Sequence, residues 1–225
     1  MKPHALRIDD DVWQVGGPQL SAPEDAAVYL VSGGAEAALI DAGCGGSIDV
    51  ILANVAAAGV EPAKITQLLL THCHYDHSGG AHHVRHRLGC KVVMHVADAP
   101  FLEAGDHVVT AASWYRSRIT PCPVDRRLVD QTETIIVGNR TVTAVHIPGH
   151  SPGSVAFFVD TPAGRIVFAQ DVHGPLHPSL LSDPVAYQAS LRRLLDLRAQ
   201  TLCEGHYGIF CGSDDVAAFI CDFLH

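Results

Sequence analysis

Six consecutive residues, His72-Cys73-His74-Tyr75-Asp76-His77, gather three imidazoles and a carboxylate directly after an apolar run, Leu68-Leu69-Leu70. Alternate side chains of extended backbone point the same way. His72 and His74 can therefore reach one cation while Cys73 turns into the fold. Asp76 and His77 lie one turn further on, where Ser78-Gly79-Gly80 lets the chain swing into a helix. That places them to grip a second cation beside the first. Imidazole and carboxylate donors without thiolate suit zinc, manganese or iron, not a structural cysteine site.

Three more signals are each weak alone. Pro148-Gly149-His150-Ser151-Pro152-Gly153 sets a histidine in a braced turn between two strands, Ala169-Gln170-Asp171-Val172 puts a carboxylate after a strand, and Glu204-Gly205-His206-Tyr207 does so with a histidine. In this order, HxHxDH, PGH, a strand-end Asp and a final GH, they resemble the metallo-β-lactamase superfamily, from about Asp11 to the C-terminus. The resemblance implies an α/β, four-layer αββα sandwich of two mixed sheets, in one domain of two similar halves, about 1–120 and 121–225. It implies a first metal held by His72, His74 and His150, a second by Asp76, His77 and His206, and Asp171 bridging both. Asp41, at the end of a strand, matches the family's supporting carboxylate, because a ligating histidine needs a partner to fix its tautomer. Tyr75, His173 and Tyr207 are candidate substrate contacts or proton donors.

The function so implied is a hydrolase in which two divalent ions, zinc with iron or manganese as alternatives, activate water against a thioester, ester or lactone. Asp76 and Asp171 are the expected catalytic carboxylates. Asp171 speaks against a β-lactamase, whose family members generally lack the bridging carboxylate. Acyl-homoserine lactonases carry a tyrosine where this chain has Gly174. Hydroxyacylglutathione hydrolases have a longer helical C-terminal region. The HCHxDH wording is shared with mononuclear-iron persulfide dioxygenases, which leaves an oxidoreductase as the alternative, with iron on His72, His150 and Asp171. A nuclease is disfavoured by charge.

Short strands and helices must position these residues. Strands are expected at 12–15, 27–31, 37–40, 68–71, 91–95, 134–137, 141–147, 155–159, 165–169 and 201–203. Ser47 should cap a helix with an Ile48, Ile51, Leu52, Val55 stripe. A second helix, 81–88, carries His82, His83 and His86 on a solvated face and stops at Gly89. Ser182-Asp183-Pro184 opens a third with Tyr187, Leu191, Leu194 and Leu195 inward. The last carries Val216, Phe219, Ile220 and Phe223. Residues 97–130 are the least regular and read either as a flap over a pocket or as a surface helix burying its aromatics.

The chain has 225 residues, 48% of them hydrophobic, and a formal net charge of -9. That charge opposes binding nucleic acid through phosphates. Seven scattered cysteines without a CxxC pair suit free thiols in a reducing compartment. With no signal-like N-terminus and no apolar run of spanning length, a cytoplasmic protein off the membrane is expected. Its partner would be a small-molecule acyl substrate; the oligomeric state stays open, a homodimer being one option.

Overall fold

The strands that carry the motif are apolar on both faces because they are covered on both faces. The structure, a computed structural model, describes residues 4–169 and 171–225. Its first sheet has seven strands in the order β1-β2-β3-β4-β5-β6-β7: Leu6–Asp9, Val12–Gly16, Val28–Ser32, Ala37–Ile40, Ile65–Leu69, Lys91–His95 and Arg126–Leu128. The second has six in the order β13-β12-β11-β10-β9-β8: Thr132–Val137 (β8), Arg140–His146 (β9), Val155–Thr161 (β10), Gly164–Phe168 (β11), Thr201–Cys203 (β12) and Ile209–Cys211 (β13). Both sheets are mixed: β4 to β7 run parallel, as do β11 and β12, and the other pairs are antiparallel.

The period-2 pleat sorts side chains between layers. Tyr29, Val31, Ala38, Ile40, Leu69 and Val93 face the second sheet, where Phe157, Val159, Ile166 and Phe168 meet them. Phe157 and Phe168 are fully buried there, and burial of such a ring is worth roughly 1.5–3 kcal/mol. The alternate residues Leu30, Leu39, Leu68 and Met94 pack outward, under helices α1 (Ile48–Ala57) and α3 (Ala81–Leu88) and the segment containing α4 (Ala99–Ala104). Ala156, Val167 and Leu202 pack under α5 (Pro184–Asp196) and α6 (Ser213–Cys221). The layers are thus helices, sheet, sheet, helices.

Several expectations need correction. Ser47 precedes α1 without capping it; its hydroxyl donates to Asp25. Asp183 does cap α5, accepting from Val185 N and Ala186 N. Helix α6 ends at Cys221, so Phe223 packs from beyond it. Residues 97–130 are neither a free flap nor a helix that buries its aromatics. Val109, Ala112, Ile119 and Cys122 anchor the segment in the core, whereas Trp114 is 49% exposed. His82, His83 and His86 do lie on the outer face of α3, the last two exposed.

Candidate metal centre

The loop from β5 and the one-turn helix α2 (Tyr75–Ser78) deliver the first ligands at one edge of the sandwich. Gly79 and Gly80 permit the turn to press against a neighbouring loop, since a Cβ on Gly80 would stand 2.2 Å from the Ala42 carbonyl oxygen. Across the gap, β9, β11 and β12 end at the loops bearing His150, Asp171 and His206. Gly149 lets the His150 turn lie on α5, where a Cβ would meet Tyr187 N at 2.2 Å. Gln170, named in the sequence motif, lies outside the described residues.

All seven expected ligands converge. Donor atoms of His72, His74, His150 and Asp171 lie within 4.8 Å of one another, and so do those of Asp76, His77, Asp171 and His206. Asp171 belongs to both groups. Its Oδ2 is 3.2 Å from His150 Nε2 and 3.9 Å from His72 Nε2, and its Oδ1 is 3.0 Å from His77 Nε2 and 3.3 Å from His206 Nε2. His206 Nε2 also lies 3.2 Å from Asp76.

The hydrogen bonds behind the ligands fix their tautomers. His77 Nδ1 donates to Asp41 Oδ2 at 2.7 Å. His72 Nδ1 lies 3.1 Å from Thr71 Oγ1, which donates to the same Asp41 oxygen at 2.8 Å. His150 Nδ1 donates to the Pro175 carbonyl at 3.0 Å. With those protons placed, each Nε2 offers a lone pair to the centre. Asp41 holds this position in left-handed backbone, φ 63°, a conformation Asp tolerates better than most residues.

Whether these residues fit a cation is answered by what they lack. His72 Nε2, His74 Nε2, His150 Nε2 and Asp171 Oδ1 are buried without a hydrogen-bond partner. His77 Nε2 stands 3.0 Å from that Oδ1 without making a hydrogen bond to it. Orphaned buried polar atoms are costly, and a divalent cation between them removes that cost. Burial, then His77, His74 and His150, push His72 well below the usual imidazole range. Burial and His150 push His74 down to about 3. Burial also resists charge on His77 and His206, but in them the carboxylates prevail. Asp171, Asp76 and Asp41 hold His77 well above its usual range. The neighbouring carboxylates of Asp171 and Asp76 lift His206 to about 10. Burial opposes charge on Asp171 too, yet His77, His150 and His206 keep it ionised. Protons and cations therefore compete for one set of lone pairs.

Two buried carboxylates that sequence reasoning missed as organisers tie the loops together. Asp98 accepts from Cys73 N at 2.9 Å, Ser151 Oγ at 2.7 Å and Gly153 N at 2.6 Å. It thereby joins the loops of His74 and His150. Glu204 accepts from Val172 N at 3.0 Å, His173 Nδ1 at 2.7 Å, His206 N at 2.6 Å and Tyr207 N at 2.8 Å, and so joins those of Asp171 and His206. Tyr75 braces the segment outside the site, its hydroxyl accepting from Ser117 at 2.9 Å. His173 is half-buried with its ring against His206 and Tyr207, and Tyr207 is exposed. At Tyr115, also missed, burial, then the charge of nearby Asp76, push the phenol above its usual range. Cys73 is fully buried and packs in the core, where burial and Asp98 push its thiol up.

Two facing sheets with this edge cluster define a metallo-hydrolase architecture, and the comparisons with known proteins agree. Residues 22–206 match the metallo-beta-lactamase superfamily, and the chain belongs to it. An acyl-coenzyme A thioesterase MBLAC2 from Gallus gallus is 32% identical over 211 residues, 82% of this chain and 73% of that protein. A hydroxyacylglutathione hydrolase from Rhodospirillum rubrum is 28% identical over 87% of this chain and 65% of that protein. In fold, a B3 metallo-beta-lactamase with an active-site glutamic acid superposes with TM-score 0.80 at 25% identity, covering 97% of this chain and 86% of that one. The B3 enzyme BJP-1 of Bradyrhizobium japonicum gives 0.81 at 21% identity, with 98% and 90% covered.

Proposed function

We propose that the chain hydrolyses a small-molecule acyl thioester, with esters and lactones as weaker substrates, at a centre of two divalent cations, zinc in the first instance. One observation carries this reading: both ligand groups converge on the shared Asp171 carboxylate. Its two oxygens face different imidazole sets. Cations held there supply Lewis acidity and bring the pKa of water from near 16 to about 7. The protein's own part is positioning. Asp41 and Thr71 orient His72 and His77, Asp98 and Glu204 hold the loops, and Asp76 and Asp171 stay ionised to orient an attacking water. The completeness of the second group favours this over the mononuclear-iron persulfide dioxygenase alternative. Two relatives are named as a thioesterase and a hydroxyacylglutathione hydrolase, which supports putting a thioester first in this reading. Seven free cysteines, five of them buried, support a cytoplasmic setting; no described helix is long and apolar enough to cross a membrane.

The test is elemental analysis of purified protein with a panel of thioesters, lactones and a chromogenic β-lactam. Turnover of a thioester that disappears on chelation and returns with zinc is expected. Activity surviving in metal-free protein would overturn the reading, as would turnover of the β-lactam alone. Oxygen uptake with a glutathione persulfide, accompanied by iron, would replace it with the alternative.

A further inference from the structure

A cavity of about 560 Å³ adjoins the centre, within the roughly 300–1,000 Å³ of small-molecule sites. Among the described residues, His206 is the one ligand of the centre that stands in its wall. The rest of the wall comes from three stretches of chain and includes Leu6, Gln14, Gln19, Leu20, Tyr207 and Ile209. Asn54, buried on α1, joins the first two stretches. Its Oδ1 accepts from His4 N at 2.8 Å, and its Nδ2 donates to Val15 O at 2.9 Å and to Leu20 O at 3.0 Å. Ala27 N donates to Gly205 O at 2.8 Å and so ties the second stretch to the third. The walls are thus set by the fold before any ligand arrives.

The wall mixes apolar surface with uncharged hydrogen-bonding groups. Leu6, Leu20 and Ile209 supply the first, and Gln14, Gln19 and Tyr207 the second. Gln14 Nε2 donates to Gly16 O at 3.0 Å, which leaves its Oε1 as an acceptor. No lysine or arginine stands in the described wall. Its one carboxylate, Glu204, is already taken up by Val172 N, His173 Nδ1, His206 N and Tyr207 N. A thiol arm with carboxylates, such as glutathione, finds no lysine or arginine there to pair with. An alkyl chain would strip water from the amides and the phenol and return no partner, which costs more than the hydrogen bonds are worth when made.

We propose that this cavity receives the thiol half of the substrate, and that this half is a neutral arm bearing secondary amides, the chemistry of pantetheine. The proposal rests on the thioesterase reading and narrows it by leaving group. A thioester whose carbonyl lies at the centre extends from it in two directions, and the half on the His206 side enters the cavity. Along a pantetheine arm, methylene and methyl groups meet Leu6, Leu20 and Ile209, while the amides exchange hydrogen bonds with Gln14 and Gln19.

The experiment measures kcat and KM of the zinc-loaded protein for butanoyl thioesters of pantetheine, glutathione and ethanethiol, and for decanoyl-pantetheine. Wild type is compared with Gln19→Ala and Gln19→Lys, an exposed position, with metal content measured in each. Wild type is expected to show a KM for butanoyl-pantetheine about tenfold below those of the other two butanoyl esters. Gln19→Ala should raise KM about three- to tenfold for both pantetheine esters alike and leave the ethanethiol ester unchanged. Gln19→Lys supplies the missing cation and should lower KM for the glutathione ester about two- to fivefold. A wild-type KM for the glutathione ester as low as for pantetheine would overturn the proposal, as would a glutathione KM that does not move in Gln19→Lys. So would a Gln19→Ala effect that is equal for all three thiols, absent, or different between butanoyl and decanoyl, the last placing the acyl chain in the cavity. Wild-type protein loaded with zinc yet inert to all four thioesters would instead overturn the thioesterase reading beneath it.

Discussion

The two sheets contribute to the centre in different styles. The first supplies His72, His74, Asp76 and His77 from one loop and one turn of helix, with two of the imidazoles oriented by the single carboxylate of Asp41. The second supplies His150, Asp171 and His206 from three separate strand ends, so nothing local in sequence holds them in register. Asp98 and Glu204 replace that missing locality with hydrogen bonds across loops. A compact ligand run needs one orienting group, whereas a dispersed set needs a hub at each junction.

The comparison breaks most sharply at Asp171, where the two styles join. Asp171→Ala removes a donor from both groups at once, and His74→Ala removes one from the first group. Each is expected to lower activity by at least about 1,000-fold, as loss of a group acting in the transition state does, with the far-ultraviolet circular dichroism unchanged. His206 has the most exposed side chain of the imidazole ligands, at 29%, and belongs to the second group alone. His206→Ala should therefore bind one equivalent of zinc where Asp171→Ala binds less than one. Equal stoichiometry in the two variants would remove Asp171 from its shared place.

A smaller effect separates the orienting groups. Loss of a partner behind a ligating histidine typically weakens metal binding about 10- to 100-fold. Asp41→Ala acts on His72 through Thr71 and on His77 directly, so both zinc equivalents should weaken in a chelator competition. Glu204→Gln touches only the loops of Asp171 and His206. It should weaken the second equivalent, which has both Asp171 and His206 on those loops, about tenfold, and the first, which shares only Asp171, by less. A Glu204→Gln protein that loses both equally would show that the hubs do not divide the work between the groups.

The same contrast governs what could be read from sequence. The first ligand run was legible because it is local and its residue types are chemically distinctive. The dispersed ligands became legible only through their Gly and Pro punctuation and the family order. Asp98 gave no such signal, since its partners Cys73 and Ser151 lie 25 and 53 residues away. Glu204 stood inside a recognised motif, yet only the fold shows that its carboxylate gathers four donors. Strands β1, β7 and β13 went unread because they are short edge or near-edge strands with exposed or charged residues, such as Arg126-Arg127-Leu128. Tyr115 was hidden in a segment without periodicity, and backbone that needs left-handed residues at Ala111 and Arg116 has no sequence mark when neither is glycine. Core strands were plain, because residues buried on both faces form continuous apolar runs.

The smallest expected effect lies where the two halves touch away from the ligands. His95 at the end of β6 stacks on His146 at the end of β9, centroids 3.8 Å apart and planes within 12°. His146 Nε2 donates to Pro152 O at 2.9 Å, while His95 Nδ1 accepts from Ala97 N at 3.2 Å and its buried Nε2 has no partner. Burial, then His146, push His95 down to about 4, against the pull of Glu133. The folded state thus refuses a proton that the unfolded chain accepts near pH 6.5. Stability is full above that pH and falls as the pH drops from 6.5 towards 4, by on the order of 1–2 kcal/mol for one such group. His95→Phe keeps a ring on His146 and removes the titration. In chelator-treated protein, where cations make no contribution, denaturant midpoints at pH 7 and pH 5 should differ less for His95→Phe than for wild type. An unchanged difference would mean that acid acts on the ligand histidines alone, and that the seam between the sheets is indifferent to protons.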